Sequence, residues 1–325
     1  MSTALPLFDD VLAAGARIAP HAQVTPVLRS ASIDATAGCA LYLKGEHLQR
    51  AGAFKFRGAC NAVWTLDAAA AARGVVTHSS GNHGAALALA ALSRGIVCHV
   101  VVPDGAVATK LAAIARYGAV LHRCAATLAA REQTCEQVRS LTGATLVHPY
   151  ADPAVIAGQG TAALELLQVA GPLDDIVVPV GGGGLAAGTA LALQGHAPGT
   201  RLVLAEPAGA DDARRSLQAG RRVDDLVPDT LCDGLRGLLG LPNFEILFHH
   251  RSGPDAVPVD VVVVDDAATL AAQRLLALRT KQLVEPSSAI ALAAVLGAPA
   301  RFAGRRVGIV LSGGNTDPDR LAGHH

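Results

Sequence analysis

Short apolar runs bounded by glycine, proline or polar residues recur along the chain, at 40–44, 74–77, 96–102, 119–124, 175–180, 201–205, 259–264 and 307–311. Their length and β-branched content predict buried strands. Between them, residues 83–93, 109–117, 128–141, 160–169, 184–194 and 287–296 carry helical patterns. A further helix is expected from Gly58 to about residue 66, and an amphipathic one within 1–24. Beyond the valine run at 259–264, Ala268, Ala271, Ala272, Leu275 and Leu276 share one helical face, which predicts burial of that face. Thr25-Pro26-Val27-Leu28 reads as a short edge segment, because proline cannot donate to a central ladder. Residues 220–258 read as a loop-rich region. Strands alternating with helices of this length mean βαβ units and a mainly parallel sheet, whose ligands sit at the strands' carboxyl ends.

Composition narrows the class. Of 325 residues, 51% are hydrophobic and 17% charged, which suffices for two domains or one large one. Lys+Arg and Asp+Glu both number 27, so no net field draws nucleic acid or an anionic membrane. Cys39, Cys60, Cys98, Cys124, Cys135 and Cys232 include no Cys-x-x-Cys pair, which predicts buried thiols in a reducing compartment rather than a zinc or redox motif. With neither a secretory leader nor a bilayer-length apolar run, a soluble cytoplasmic protein is expected. His324 and His325 read as the stub of a purification tag.

Five segments carry candidate chemistry. In Gly-Ala-Phe-Lys-Phe-Arg-Gly-Ala (52–59), Lys55 lies between two aromatics. Desolvation there favours the neutral amine, which attacks carbonyls; a surface lysine between core phenylalanines is the plain alternative. His78-Ser79-Ser80-Gly81-Asn82-His83-Gly84 sits between a strand and a helix, where hydroxyls and free amides can seat a carboxylate; an ordinary helix cap is the alternative. Gly181-Gly182-Gly183-Gly184 bares backbone amides at another helix start, a seat for phosphate. No Gly-Lys-Ser/Thr follows, so it is not a P-loop, while its partial dinucleotide pattern keeps a nicotinamide cofactor open. Glu206 through Asp212 can gather oxygens around a hard cation, or be a solvated acidic loop. Ser312, after the last strand, can hydrogen-bond a heterocyclic nitrogen or simply occupy a tight turn.

Together with Thr25-Pro26-Val27, Pro149, residues 154–161, Asp233-Gly234 and Glu285-Pro286, these segments resemble, in order and over nearly the whole chain, the fold-type II pyridoxal 5'-phosphate (PLP) enzymes of the serine/threonine dehydratase and serine racemase group. The resemblance implies a tryptophan synthase β-like α/β fold with two parallel-sheet, three-layer domains. The larger would comprise 1–69 and 149–325, and the smaller 70–148, inserted into it. Lys55 would hold PLP covalently and take the Cα proton, with Ser80 as the acid/base on the opposite face. Phe54, Asn82, the amides of Gly181, Gly182, Gly183 and Gly184, and Ser312 would bind the cofactor's ring, phenolic oxygen, phosphate and ring nitrogen. Ser79, Ser80, Asn82, His83 and Arg131 would bind substrate. Glu206, Asp212 and the Ala210 carbonyl match that group's divalent-metal loop, for Mg²⁺ or Ca²⁺ with Mn²⁺ as a further fit. A homodimer acting on a small amino acid is implied, with no nucleic-acid or membrane partner.

The implied reaction is α-proton abstraction and β-elimination from a β-hydroxy amino acid, giving a 2-oxo acid and ammonia. Departures bear on substrate. Ala53 and Ala85 replace a common serine and glutamine. Gly237, in Leu235-Arg236-Gly237-Leu238, stands where racemases carry a substrate-holding serine. The glycine predicts room near Cβ and a substrate bulkier than serine, such as threonine, 3-phenylserine or 3-hydroxyaspartate, with Arg131, Arg236 or His83 favouring the acidic one. Three alternatives stand beside this: an amino acid racemase on the same site, an NAD-type oxidoreductase, and a catalytically dead amino-acid-binding regulator.

Overall fold

The computed structural model describes residues 4–252 and 259–316, so the end of the 220–258 region and His324 and His325 lie outside the described residues. Among the described residues there are ten strands: β1 Val27–Leu28, β2 Ala40–Lys44, β3 Val75–Thr77, β4 Cys98–Pro103, β5 Val120–Cys124, β6 Thr145–Leu146, β7 Asp175–Pro179, β8 Arg201–Pro207, β9 Val259–Val264 and β10 Arg306–Val310. They form a six-stranded sheet, β1-β2-β10-β7-β8-β9, and a four-stranded sheet, β5-β4-β3-β6. Every pairing between named strands is parallel except β1 with β2, the proline-led edge.

Both sheets are covered on both faces, as the near-continuous apolar strands require. On β7, Ile176 and Val178 join one core with the helices Phe8–Ile18, Pro153–Ala170 and Gly184–His196. Val177, between them, joins the opposite core with Pro286–Gly297 and Asp266–Thr280. In the small sheet, Val75 and Val100 face the helices Lys55–Thr65 and Asn82–Arg94, while Val76 and Val101 face Leu128–Thr142. This two-residue alternation produces three layers around each sheet. All six cysteines are free and buried, and burial pushes their thiols up.

Three helices cross without side chains between them. A Cβ on Gly158 would lie 2.6 Å from the Cα of Gly58, and one on Gly188 would lie 2.6 Å from the amide nitrogen of Gly160. Gly58 belongs to the helix Lys55–Thr65, Gly188 to Gly184–His196, and Gly158 and Gly160 to the helix Pro153–Ala170 between them.

Three expectations need correction. The helix carrying the candidate lysine begins at Lys55 itself, not after Gly58. Residues 220–258 are not all loop, since Leu241–Ser252 is a helix packed on Gly184–His196. In Asp266–Thr280 the buried residues are Thr269, Ala272, Gln273 and Leu276, while Ala268 and Ala271 are exposed. Alanine's small apolar area defines a face weakly. Asp265 caps this helix through Ala268 N, and Gln273 buries its amide by donating to the Val284 carbonyl at 2.7 Å.

Candidate active site

The carboxyl ends of β3, β7 and β10 and the start of the helix Lys55–Thr65 converge on Lys55. Its Nζ donates to the Pro149 carbonyl at 2.9 Å and lies 5.0 Å from the centroid of the Phe54 ring. Burial lowers its pKa from 10.5 to about 8, opposed by the negative potential of Glu285, so the free amine carries a substantial neutral fraction near neutrality. His83 and His148, which lie within electrostatic range of Lys55, are themselves lowered by burial, His148 to about 4. They add no standing positive charge at neutral pH.

The helix is anchored one half-turn further on. Arg57 donates to Glu46 at 2.7 and 2.8 Å and to Glu165 at 2.7 and 2.7 Å. Lys44 closes the cluster, donating to Glu165 at 2.5 Å and to the Thr25 carbonyl at 2.7 Å. Two cations thus balance two carboxylates in a site where Arg57 and Lys44 are wholly buried.

Gly181–Gly184 follows β7. A Cβ would meet the Leu235 backbone at 2.7 Å from Gly181, the Tyr150 ring at 2.4 Å from Gly182, and a Leu239 methyl at 2.5 Å from Gly183, whose φ is +88°. Only glycine fits this turn. Among the described residues none of the four amides donates to a protein acceptor, and they stand at the start of the 13-residue helix Gly184–His196. That is an anion cradle. Asn243 braces it, donating to the carbonyls of Gly182 at 2.5 Å and Tyr150 at 3.0 Å.

Ser79 and Ser80 lie in the loop before the helix Asn82–Arg94, with the Gly81 amide 3.4 Å from Ser79 Oγ. Ser80 Oγ makes no hydrogen bond among the described residues. The Asn82 amide is oriented from both ends. Its Nδ2 donates to Glu285 at 2.9 and 3.2 Å, and its Oδ1 accepts from Asn315 Nδ2 at 2.9 Å. Ser312 Oγ donates to the Ser287 carbonyl at 3.4 Å, and its own carbonyl accepts the Phe54 amide at 2.9 Å, which ties the loop after β10 to the lysine segment. The His83 ring is buried behind the loop, its Nε2 at 3.2 Å from the Val147 carbonyl. Arg131 lies within electrostatic range of His78 and Tyr150 and makes no ion pair among the described residues. Arg236 is committed elsewhere, donating to the Thr230 carbonyl at 2.6 and 3.1 Å.

Three contributors went unread in the sequence. Glu285 is buried and pushed up to about 7 by desolvation. Its side chain fixes Asn82, although Glu285-Pro286 marks only a helix start. Tyr150 and Asn243 shape the glycine turn, and no spacing signal points to either; one of only three tyrosines beside Pro149 was the available hint.

Glu206 and Asp212 form a buried acidic pair. Glu206 accepts the amides of Ala213 and Arg214 at 2.6 and 2.9 Å, and Asp212 accepts the Leu239 amide at 2.7 Å. Burial and the neighbouring carboxylates push Glu206 up to about 8, and burial first raises Asp212 to about 6. Asp211 is held instead by Arg214 and Arg215. Among the described residues no three His, Cys, Asp or Glu side chains gather as a metal cluster. No described helix is long and apolar enough to cross a membrane.

A buried amine with its pKa near 8, a glycine cradle of undonated amides at a helix start, and a serine hydroxyl after β10 fit a phosphorylated pyridine aldehyde. Comparison with known proteins agrees. The chain is 44% identical over 317 residues to the β-hydroxyaspartate dehydratase of Paracoccus denitrificans, covering 98% of each. It is 47% identical to the serine racemase of Arabidopsis thaliana, over 93% of this chain and 90% of that one. The solved maize serine racemase superposes with a TM-score of 0.92 at 42% identity, over 98% and 96% of the two chains. The profile described as pyridoxal-phosphate dependent enzyme matches residues 18–313, and the chain belongs to that family.

Proposed function

We propose that the protein is a PLP-dependent ammonia-lyase that converts a β-hydroxy amino acid, foremost 3-hydroxyaspartate, to a 2-oxo acid and ammonia. The observation that carries this reading is the desolvated Lys55 amine held by the Pro149 carbonyl, next in the chain to the Tyr150 that packs on the glycine cradle. Lys55, Phe54, Asn82, Gly181–Gly184 and Ser312 would hold PLP, which when bound supplies an electron sink for negative charge developing at Cα. Ser79 and the amides opening the helix Asn82–Arg94 would seat the α-carboxylate, with the His83 ring supporting them from behind. The Lys55 Nζ would take the Cα proton and the β-hydroxyl would leave as water. The released enamine then hydrolyses, so 3-hydroxyaspartate gives oxaloacetate and ammonia with no net change in water. Arg131, a cation without an ion-pair partner beside the cleft, favours a substrate with a second carboxylate, in keeping with the name of the Paracoccus relative.

A second reading, racemisation, is favoured by the unpaired Ser80 hydroxyl in the substrate loop and by the relatives named serine racemase. Both share one site. Glu206, Asp212 and the Ala210 carbonyl would hold a divalent cation, whose charge would offset two carboxylates that burial raises. Residues 70–148 would close as a unit over the cleft, and the working form would be a cytoplasmic homodimer. Measurement of 2-oxo acid release from D- and L-isomers of 3-hydroxyaspartate, serine, threonine and 3-phenylserine, with and without chelator, tests the assignment. Highest kcat/KM on serine would refute the acidic-substrate reading.

A further inference from the structure

Gly237 suggested an opening near the substrate's Cβ, and the structure fills that opening from another segment. A Cβ built on Gly237 would lie 3.3 Å from Cε1 and 3.7 Å from Cζ of the Tyr150 ring. The same ring covers Gly182 and Gly240, where an added Cβ would come within 2.4 and 3.2 Å. Tyr150 therefore stands on the glycines of the anion cradle, with its hydroxyl-bearing edge at Gly237. The preceding residue, Pro149, supplies the carbonyl that holds the Lys55 amine, so the phenol belongs to the segment beside the reacting amine.

Charges of both signs surround the phenol: Arg131, Arg222, Glu132 and Asp212 all lie within its electrostatic range. Arg222 is spent on the Leu239 carbonyl and on Asp224. Arg131 makes no hydrogen bond among the described residues, and neither does the Tyr150 hydroxyl. A phenol and a guanidinium within electrostatic range of one another, neither with a hydrogen-bond partner among the described residues, offer one neutral and one charged donor, the combination that suits a carboxylate.

We propose that Tyr150 is a specificity-determining substrate-binding residue whose hydroxyl, together with Arg131, receives the carboxylate on the substrate's Cβ. This rests on the lyase reading and deepens it to the dicarboxylic substrate class. The ring is already clamped on its glycines, so little rotamer freedom is lost on binding. Serine or threonine would leave both donors unpaired, and a site built for a charged acceptor rejects ligands that lack it. Gly237 and Tyr150 are in close contact: a Cβ at 237, 3.3 Å from the ring, would require the ring to give by a few tenths of an ångström.

The test uses PLP-loaded enzyme and two probes, malonate and acetate, titrated by cofactor fluorescence. Wild type should prefer malonate, and Tyr150→Phe should cut the ratio of malonate to acetate affinity about tenfold, the usual effect of losing a hydrogen bond to a charged group. Combined with Arg131→Gln the losses should be non-additive, since both donors serve one carboxylate. A ratio unchanged in Tyr150→Phe, or equal losses for both probes, overturns the assignment. Phenylalanine keeps the ring contacts; should that variant nonetheless misfold, Arg131→Gln alone must lower the same ratio, and its failure to do so also overturns the assignment. Turnover separates the two claims. A wild type that prefers malonate but releases no oxaloacetate from 3-hydroxyaspartate refutes the reaction and leaves Tyr150 standing; one that turns it over while Tyr150→Phe keeps the ratio refutes Tyr150 alone.

Discussion

Replacing Arg57 by methionine should destabilise the protein by about 3–5 kcal/mol, the usual cost of leaving buried charge without its partner. The structure gives the reasons. Arg57 donates four hydrogen bonds of 2.7–2.8 Å to Glu46 and Glu165, and a fifth to Thr161 Oγ1 at 3.2 Å. Without it the cluster holds two carboxylates against Lys44 alone. Lys44 Nζ is 2.5 Å from Glu165 but 3.9 Å from Glu46, so Glu46 keeps only the Thr25 hydroxyl, at 2.5 Å. Desolvation already works against Lys44 and lowers its pKa, so it compensates poorly. Urea unfolding followed by circular dichroism reads the loss. The double variant Arg57→Met/Glu46→Leu should recover most of it, because an apolar replacement of a buried pair is tolerated where a half-pair is not. Stability of the single variant within about 1 kcal/mol of wild type, or a double variant no better than the single, would refute the argument.

Lys55→Ala should be colourless and lose about 10³-fold or more in kcat, since both the covalent anchor and the proton acceptor go; full activity with bound cofactor would refute that role. Loading of stripped enzyme with PLP should accelerate as pH rises through about 8, because folding lowers the Lys55 pKa and the neutral amine is the reacting form. For the same reason the folded apoprotein carries a penalty below about pH 8 that fades as pH rises towards 10.5, and a loading rate flat from pH 7 to 9 counts against it. Glu206 is raised from 4.5 to about 8, so its contribution to stability is lost as pH rises across that window. A divalent cation should therefore raise Tm more at pH 8.5 than at pH 5.5, and equal effects at both would dismiss the acidic pair as its site.

Much of this molecule was written in residue order, because strands are short apolar runs, with β3 and β7 buried throughout. β2 and β9 begin and end where the apolar runs do. Lys55 and the four glycines were legible because their chemistry is local: an apolar neighbour desolvates, and a missing Cβ bares an amide. What stayed hidden depends on distant segments. Gly237 read as empty space, yet Tyr150, 87 positions earlier, occupies it. Arg236 read as a substrate contact, yet a carbonyl six residues back captures it. Glu285 acts through Asn82, 203 positions away, and no periodicity carries that information. The misplaced face of Asp266–Thr280 has a different cause, since alanine satisfies exposed and buried positions almost equally.

The glycine crossings at 58–158 and 160–188 work as callipers. The jaw bearing the amine and the jaw bearing the four-glycine turn close on the same central rod, main chain against main chain, so the span between them is not set by how any core side chain happens to pack. Drift in the surrounding apolar residues can reshape the mouth of the cleft while that span stays constant. A lineage can thereby change which amino acid it accepts without re-learning how to hold its cofactor.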